Sequence, residues 1–168
     1  VMQKYINLNF PMIKIKVPDT RAALAGISSN FYQGPTTRLK LIGVTGTNGK
    51  TTTSFLLDSI FRKAGLKCSM ITTVQSFLDQ TGVEFDRTTP GALELNRFFA
   101  ESWSQGVEAA VMEVSSHSVD LHRVDHIQFE GFIFTNLSQD HLDYHQNMEN
   151  YFQAKLKLFS PDRRPLYG

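Results

Sequence analysis

A lysine and adjacent threonines follow a turn that contains two glycines in the stretch GVTGTNGKTT, residues 43–52. The apolar run at 41–44 predicts a buried strand before the turn, and the residues after Lys50 predict a helix. In such a strand–loop–helix unit, backbone N–H groups of the loop and of the helix N-terminus point toward a bound phosphate. Lys50 would then reach the outer phosphates as a positive charge, and the hydroxyl of Thr51 would ligate Mg²⁺.

One position departs from the usual phosphate-loop pattern. The pattern G-x-x-x-x-G-K-[ST] requires glycine at position 44, where this chain has Val44, and the early glycines are Gly43 and Gly46. A plain glycine turn with a surface lysine is the alternative interpretation. The agreement of strand, loop, lysine, hydroxyls and helix favours phosphate binding.

An acid and a histidine follow other predicted strands. Glu113 ends the apolar run 109–112, where a phosphate-loop enzyme keeps a carboxylate for Mg²⁺. The alternative is an acid that caps the next turn. All five histidines lie between 117 and 145, and only His141, beside Asp140, is predicted to be functional. The chain has one cysteine, and it has neither a paired-cysteine spacing nor an H-E-x-x-H motif. Both facts argue against a zinc site.

The last predicted helix, residues 148–159, carries a lysine in the middle of its apolar face. Because burial of an unpaired ammonium is costly, Lys155 needs a physical reason to lie there, and three are open. The side chain could extend to the edge of the helix, or it could be paired. It could also be converted, since a desolvated neutral amine adds CO₂ to form a carbamate whose two oxygens suit Mg²⁺. The apolar members of the face are Met148, Tyr151, Phe152, Leu156 and Phe159.

A hydroxyl-rich segment, Thr88-Thr89-Pro90, precedes another predicted helix at 91–104. Pro90 suits the first turn of that helix, and Thr89 suits its N-cap. Capping alone would explain Thr89. The same hydroxyls could also bind a second anion at the edge of the sheet.

Strands and helices alternate from residue 41 onward, which predicts an α/β fold with a P-loop-type, mostly parallel sheet and helices on both faces. Ligands in such sheets bind at the carboxyl ends of the strands. Before residue 41 we predict a strand or extended connector at 12–17, a helix from Pro18 to Ile27 and a linker at 28–37. The predicted strands after the first are 68–72, which a polar loop follows, 109–114 and 132–135. The helix after the loop at 45–49 runs from 50 to 63, and its apolar residues repeat at helical spacing: Leu56, Leu57, Ile60, Phe61 and Ala64.

Composition excludes several function classes. The chain has 168 residues, 41% hydrophobic content and a net charge of +1, which is typical of a soluble globular protein and argues against a general nucleic-acid binder. The sequence contains no stretch of about 18 apolar residues, so it predicts no membrane span. It also contains no segment typical of a signal peptide. The single Cys68 is expected in the core. We expect a cytoplasmic monomer.

Several motifs, in order along the chain, carry a resemblance to a known family. Residues 45–52 resemble the ATP loop of the Mur ligases. Four further segments resemble the UDP-N-acetylmuramoyl-tripeptide synthetase branch of that family, which adds diaminopimelate or lysine as the third amino acid of a cell-wall precursor. These segments are TTP at 88–90, MEVSSH at 112–117, HRV at 122–124 and TNLSQDHLDYH at 135–145.

The resemblance implies a role for each matched residue. Lys50, Lys155 and His141 would be catalytic, and Lys155 matches the family's carbamylated lysine, which holds metal. Mg²⁺ would be surrounded by Thr51, Glu113, His141 and Lys155. UDP-N-acetylmuramoyl-L-alanyl-D-glutamate would be held by Thr88, Thr89, Ser115 and Arg123. ATP would be bound by Gly46, Thr47, Asn48, Gly49, Lys50, Thr51 and Thr52.

Two positions depart from the family pattern: Arg87 stands where members have Asn, and Leu121 where some carry Gln. The family has a UDP-binding domain, a central ATPase and a third domain for the incoming amino acid. We expect residues 1–37 to be the end of the first domain with its linker, and 38–168 to be the front part of the second, so that the chain is a fragment. Alternatives are a ligase like folylpolyglutamate synthetase, or a non-catalytic nucleotide-binding fragment.

Overall fold

A six-stranded sheet forms the centre of the computed structural model, which describes residues 14–160. The strand order is β4-β3-β2-β5-β1-β6. Four neighbours, β2, β5, β1 and β6, are parallel, which confirms the predicted fold class. The strands are β1 (Lys40–Thr45), β2 (Cys68–Ile71), β3 (Ser76–Leu78), β4 (Thr81–Val83), β5 (Ala109–Glu113) and β6 (Gly131–Phe134).

Helices cover both faces of the sheet, as predicted. The larger ones are α1 (Thr20–Phe31), α2 (Lys50–Lys63), α3 (Ala92–Ser104) and α6 (Met148–Leu156), and two short helices are α4 (Ser116–Asp120) and α5 (Leu142–His145). Leu57 and Phe61 of α2 pack on one face, where Val111 is buried. Leu95 and Phe99 of α3 pack on the opposite face. No helix within residues 14–160 is long and apolar enough to cross a membrane.

Strand β5 lies in the middle of the parallel part, and all its residues are buried. Its side chains alternate between the two faces, with Val111 in the cluster beneath α2 and Met112 in the cluster beneath α3. The strand is a continuous apolar run in the sequence because both of its faces are covered. Its register pairs Val44 of β1 with Glu113, so the ends of β1 and β5 lie side by side.

The segment between β2 and α3 was predicted as a polar loop, and that prediction was wrong. It contains the antiparallel hairpin of β3 and β4. Each strand has three residues, too few for an alternating pattern to stand out in the sequence. The hairpin extends the sheet because β3 pairs with β2 through Met70 and Phe77.

The first predicted elements were only partly right. No strand is assigned at 14–17, and Met12 and Ile13 lie outside the described residues. Helix α1 begins after an Asp19 N-cap and continues to Phe31, and a 3₁₀ turn follows at Pro35–Arg38, so most of the expected linker is helical. Ser28, placed in that linker, is buried where α1 packs on α3.

Two apolar helix faces are also narrower than predicted. Leu57 and Phe61 of α2 are partly buried, whereas Leu56 and Ile60 are about 60% exposed. On α6, Leu156 is exposed. Helix α6 ends at that residue and passes into a 3₁₀ turn, Lys157–Phe159, which shifts the residues after it relative to a continuous helix.

Candidate active site

The loop between β1 and α2 leads into the N-terminus of α2, as the sequence predicts. Gly49 is the N-cap of α2 with φ of +81°, and no side chain within residues 14–160 caps this end. A Cβ at Gly49 would meet nothing within 4 Å. The first N–H groups of this 14-residue helix are therefore left without a capping side chain from the described part of the chain, which is the arrangement that binds anions.

The shape of the loop accounts for valine at position 44. Val44 lies inside β1 and is fully buried, so the turn begins only after Thr45. The glycine that the turn requires is Gly46, whose φ is +142°. A Cβ there would collide with the hydroxyl of Thr135, which follows β6.

The segment after β6 holds the loop in place. The Asn136 side chain accepts from the Asn48 N–H at 3.0 Å and donates to the Asn48 carbonyl at 3.0 Å. The Thr135 hydroxyl also donates to that carbonyl, at 2.7 Å. The Thr47 N–H donates to the backbone carbonyl of Asn136 at 2.9 Å. These bonds fix the loop conformation through contacts between residues about 90 positions apart.

Two lysines converge on one carbonyl oxygen of the loop. Lys50 Nζ donates to Gly46 O at 3.0 Å and to Thr47 O at 2.8 Å. Lys155 Nζ donates to the same Gly46 O at 3.0 Å. Lys155 is 1% exposed, so the sequence prediction that it lies on a buried face is confirmed.

Burial of these lysines has an electrostatic consequence. The pKa of Lys155 is lowered to about 8, because burial disfavours its charged form and the charge of Lys50 repels it. Burial also lowers the pKa of Lys50, whereas the charges of Glu113 and Asp140 raise it. Among the described residues, neither lysine takes part in an ion pair. Lys50 thus offers positive charge to an anion held at the loop, and Lys155 holds an amine that loses its proton more readily than an ordinary lysine.

Glu113 lies fully buried at the end of β5, beside the start of α2. One carboxylate oxygen accepts from the Thr51 hydroxyl at 2.7 Å and from the Thr73 N–H at 3.2 Å. The other accepts from the Thr73 hydroxyl at 2.9 Å. The carboxylate is thus satisfied by neutral donors, with no ion pair from residues 14–160. A buried carboxylate next to a threonine hydroxyl is an oxygen donor set that fits Mg²⁺.

The four predicted substrate residues lie together at the same end of the sheet. The Thr89 hydroxyl donates to Glu113 O at 3.0 Å and lies 3.3 Å from the Ser115 hydroxyl. Arg123 donates to Thr89 O at 3.1 Å. The Thr88 hydroxyl lies 3.1 Å from the Thr73 hydroxyl, whose single proton goes to Glu113. The alternative that capping alone explains Thr89 is wrong, because Gly91 is the N-cap of α3 and the Glu94 carboxylate accepts the Gly91 N–H.

Histidines and tyrosines form a ring cluster beside the loop. The His117 ring lies 5.0 Å from that of His141 and 4.2 Å from that of Tyr144. His145 is buried, with Nε2 2.9 Å from the Ser116 hydroxyl, and its ring lies 5.2 Å from that of Tyr151. His141 is 43% exposed and meets the cluster through His117 and Tyr151. Within residues 14–160, no three His, Cys, Asp or Glu side chains form a metal-binding group.

Three site residues were missed in the sequence. Thr73 holds both oxygens of Glu113, Asn136 holds the loop, and Tyr151 contacts Thr47. Thr73 and Asn136 each follow a strand end, which is the signal that could have found them. Tyr151 gave no such signal because an aromatic residue on an apolar helix face is expected in any core.

The same stretch of chain that builds this site matches a known family. Residues 44–165 match the family model described as the Mur ligase middle domain. The chain belongs to the Mur ligase middle-domain family. The matched range contains the nucleotide loop, Glu113, the histidine cluster and Lys155, so the whole site lies within the Mur ligase middle domain.

Two individual proteins similar to this Mur ligase chain carry the same name. The chain is 49% identical over 159 residues to the UDP-N-acetylmuramoyl-L-alanyl-D-glutamate–2,6-diaminopimelate ligase of Clostridium perfringens (strain 13 / Type A), covering 95% of this chain and 33% of that protein. A solved structure with that enzyme name has a TM-score of 0.75 at 31% identity, covering 88% of this chain and 30% of the other.

A more distant likeness concerns the fold alone. The solved E. coli FolC in complex with DHPP and ADP has a TM-score of 0.61 at 16% identity, covering 89% of this chain and 41% of that one. This Mur ligase chain spans about a third of the length of the curated relatives it matches.

Proposed function

We propose that this chain is the nucleotide-binding part of an ATP-dependent ligase that joins an amino acid to UDP-N-acetylmuramoyl-L-alanyl-D-glutamate. The observation that carries the proposal is the meeting of Lys50 and Lys155 on Gly46 O, beside the buried Glu113. Cationic and anionic side chains there lie beside the N-terminus of α2, which has no capping side chain among the described residues. This arrangement suits a triphosphate with its magnesium ion.

The triphosphate would lie along the loop and the start of α2. The N–H groups of Gly49 and of the first helical residues to Thr52 would donate to its oxygens. Gly46, Thr47 and Asn48 would shape the loop around it, because the N–H groups of Thr47 and Asn48 already donate to Asn136. Lys50 would leave the loop carbonyls to neutralise charge on the transferred phosphoryl group. The hydrogen bonds between Asn136 and the loop would hold the loop conformation while Lys50 moves.

The reaction is a two-step amide synthesis. A carboxylate oxygen of the substrate attacks the γ-phosphorus of ATP, the bond to the β–γ bridging oxygen breaks, and ADP leaves with an acyl phosphate formed. The amine of the incoming amino acid then attacks the acyl carbon. Phosphate leaves with the bonding electrons, and the nitrogen loses a proton. The protein contributes alignment and charge stabilisation to both steps.

Magnesium would be held by the Thr51 hydroxyl and Glu113, with His141 and Lys155 as further predicted ligands. When bound, it would neutralise phosphate charge. Lys155 would take part as a carbamate: its neutral amine forms a bond to the carbon of CO₂ and releases one proton. The lowered pKa of Lys155, about 8 because of burial, supports this by supplying neutral amine near neutral pH.

The muramoyl-dipeptide would be bound by Thr88, Thr89, Ser115 and Arg123. Burial, with the neighbouring charges of Arg87 and Arg21, lowers the pKa of Arg123. Positive charge at this position suits a substrate with a diphosphate and carboxylates. The names of the relatives favour diaminopimelate over lysine as the added amino acid, and the monomeric state stays a prediction.

We also propose a domain boundary near residue 37. The family match begins at Val44, after the boundary. Helix α1 lies before it but packs on α3, with Ala25 fully buried and the Thr36 hydroxyl accepting from the Gln128 N–H at 3.0 Å. We therefore assign α1 as a linker helix docked on the ATP-binding domain.

The test is a coupled assay of ADP release by the complete ligase polypeptide that contains this chain. ADP should appear only when both the UDP-muramoyl-dipeptide and diaminopimelate or lysine are present. Release with a folate substrate and glutamate would instead favour a folylpolyglutamate synthetase. Nucleotide binding without turnover on either substrate would favour a non-catalytic nucleotide-binding module.

A further inference from the structure

Tyr151 lies where the nucleotide loop, helix α6 and the histidine cluster meet. It is 1% exposed, although its hydroxyl is polar. That hydroxyl lies 3.2 Å from Thr47 Oγ1 in the loop. Lys155, one turn further along α6, places Nζ 4.6 Å from the centre of the Tyr151 ring. A single side chain thus touches both the loop and the buried lysine.

The direction of the hydrogen bond follows from counting protons. The Thr47 hydroxyl has one proton, and its oxygen lies 3.2 Å from the backbone carbonyl of Ser138, which can only accept. The same oxygen accepts from the Ser138 N–H at 3.0 Å. The Thr47 proton therefore goes to Ser138 O, and the Tyr151 hydroxyl donates to Thr47. The phenol is a specific donor to the loop.

The Tyr151 ring is supported from behind. The His145 ring lies 5.2 Å from it, and His145 Nε2 is 2.9 Å from the hydroxyl of Ser116. Both His145 and Ser116 are buried. Ser116 begins α4, three residues after Glu113. The ring is therefore fixed relative to the end of β5 as well as to the loop.

Thr47 and Gly46 are adjacent, and Gly46 O is the acceptor for Lys155. Any shift of Thr47 therefore moves the acceptor of the lysine. The same tyrosine contacts Thr47 with its hydroxyl and Lys155 with its ring face. The two contacts join the loop conformation to the lysine position through one rigid group.

We propose that Tyr151 is a positioning residue that couples occupancy of the nucleotide loop to the position of Lys155. This inference rests on the proposed function, because it takes the loop to bind nucleotide. Coupling of this kind is reciprocal. If bound nucleotide changes the carbamate equilibrium of Lys155 by some factor, then carbamate formation changes the nucleotide affinity by the same factor.

The first test is nucleotide affinity of Tyr151→Phe, measured by calorimetric titration of the protein with a non-hydrolysable ATP analogue and Mg²⁺. The variant keeps the ring and loses only the donor to Thr47. We expect binding to weaken by about three- to tenfold, the usual range for one hydrogen bond. Tyr32→Phe is the matched control, because it removes the same hydroxyl group at the end of α1, outside the site. Its affinity should stay unchanged.

The second test separates coupling from folding. The protein is equilibrated with ¹³C-bicarbonate, and the carbamate signal of Lys155 is measured by NMR with and without the analogue. In the wild type the analogue should change the carbamate fraction, and in Tyr151→Phe this change should be smaller. A purely structural tyrosine would lower the unfolding temperature and leave the change intact.

Each outcome decides something. Wild-type affinity and an unreduced carbamate response in Tyr151→Phe would overturn the role of Tyr151 and leave the proposed function standing. Failure of the wild type to bind the analogue would overturn the proposed function itself. Should Tyr151→Phe not fold, Thr47→Val removes the same hydrogen bond from the other side, and unchanged affinity there would equally overturn the coupling.

Discussion

Two clusters of charged side chains lie on opposite ends of helix α2, and they are satisfied in different ways. At the C-terminal end, Arg62 makes ion pairs of 2.9 Å with both Asp58 and Asp79. It also donates to the carbonyls of Cys68 and Asp79 at 2.6 Å. At the N-terminal end, the hydrogen-bond partners of Lys50 within residues 14–160 are all backbone carbonyls.

The difference separates a structural cluster from a functional one. Arg62 joins α2 to the β3–β4 hairpin, and its charge is neutralised within the fold. Lys50, Lys155 and Glu113 are held by neutral groups, so their charges remain available to a ligand. Burial of charge without an ion pair costs stability. Buried charges of this kind are expected at a site that binds ions of both signs.

The largest expected effect is loss of turnover on Lys50→Ala in the complete ligase. Removal of the charge that stabilises the transferred phosphoryl group should lower kcat by about a hundredfold or more. Steady-state ADP release measures this effect. Lys63→Ala, at the other end of α2, is the control and should be near wild type. Near-normal activity of Lys50→Ala would contradict the phosphate-loop role and make the two ends of α2 equivalent.

Lys155→Ala should be nearly inactive for a different reason, because it removes the carbamate rather than a cation. Short carboxylates such as formate or acetate should restore part of the activity by supplying the missing anion. Lys157→Ala, which loses an exposed ion pair with Asp120, should be active and insensitive to carboxylates. Full activity of Lys155→Ala without added carboxylate would refute the carbamate role.

The pH dependence of stability should distinguish the two clusters. The pKa of Lys155 is about 8 in the folded protein, against an ordinary value of 10.5, so between these values the unfolded state binds more protons. Stability should therefore rise with pH across this window, relative to Lys155→Met, by an amount on the order of 3 kcal/mol. Urea unfolding in CO₂-free buffer at several pH values measures it. If the stability difference between the wild type and Lys155→Met did not change with pH, Lys155 would not be desolvated.

Arg62→Met should lower stability while leaving nucleotide binding intact. The variant keeps most of the side-chain volume but leaves two carboxylates and two carbonyls without their donor. Since the arginine is 31% exposed, we expect a loss of about 1–3 kcal/mol by urea unfolding. Lys63→Met, the next residue, should change stability by less than about 0.5 kcal/mol. A changed nucleotide affinity in the folded Arg62→Met variant would show that the clusters are not independent.

The sequence alone determined the parallel core of the sheet, the loop and the burial of Lys155. These features follow from local rules: apolar runs predict buried strands, glycine allows the loop, and a 3.6-residue period places Lys155 on the covered face of α6. It also placed Glu113 at a strand end. The short strands β3 and β4 were missed because three residues hold no readable period.

Only the tertiary structure decided which groups meet. Thr73 and Asn136 are ordinary polar residues in the sequence, and they join the site because parallel strands bring their ends to one edge. Tyr151 joins it because α6 packs beside the loop and brings the phenol to Thr47. The role of Thr89 likewise changed from a helix cap to a partner of Glu113 and Ser115. Local patterns carry the period and polarity of a segment, whereas contacts between residues about 90 positions apart depend on how the whole sheet is assembled.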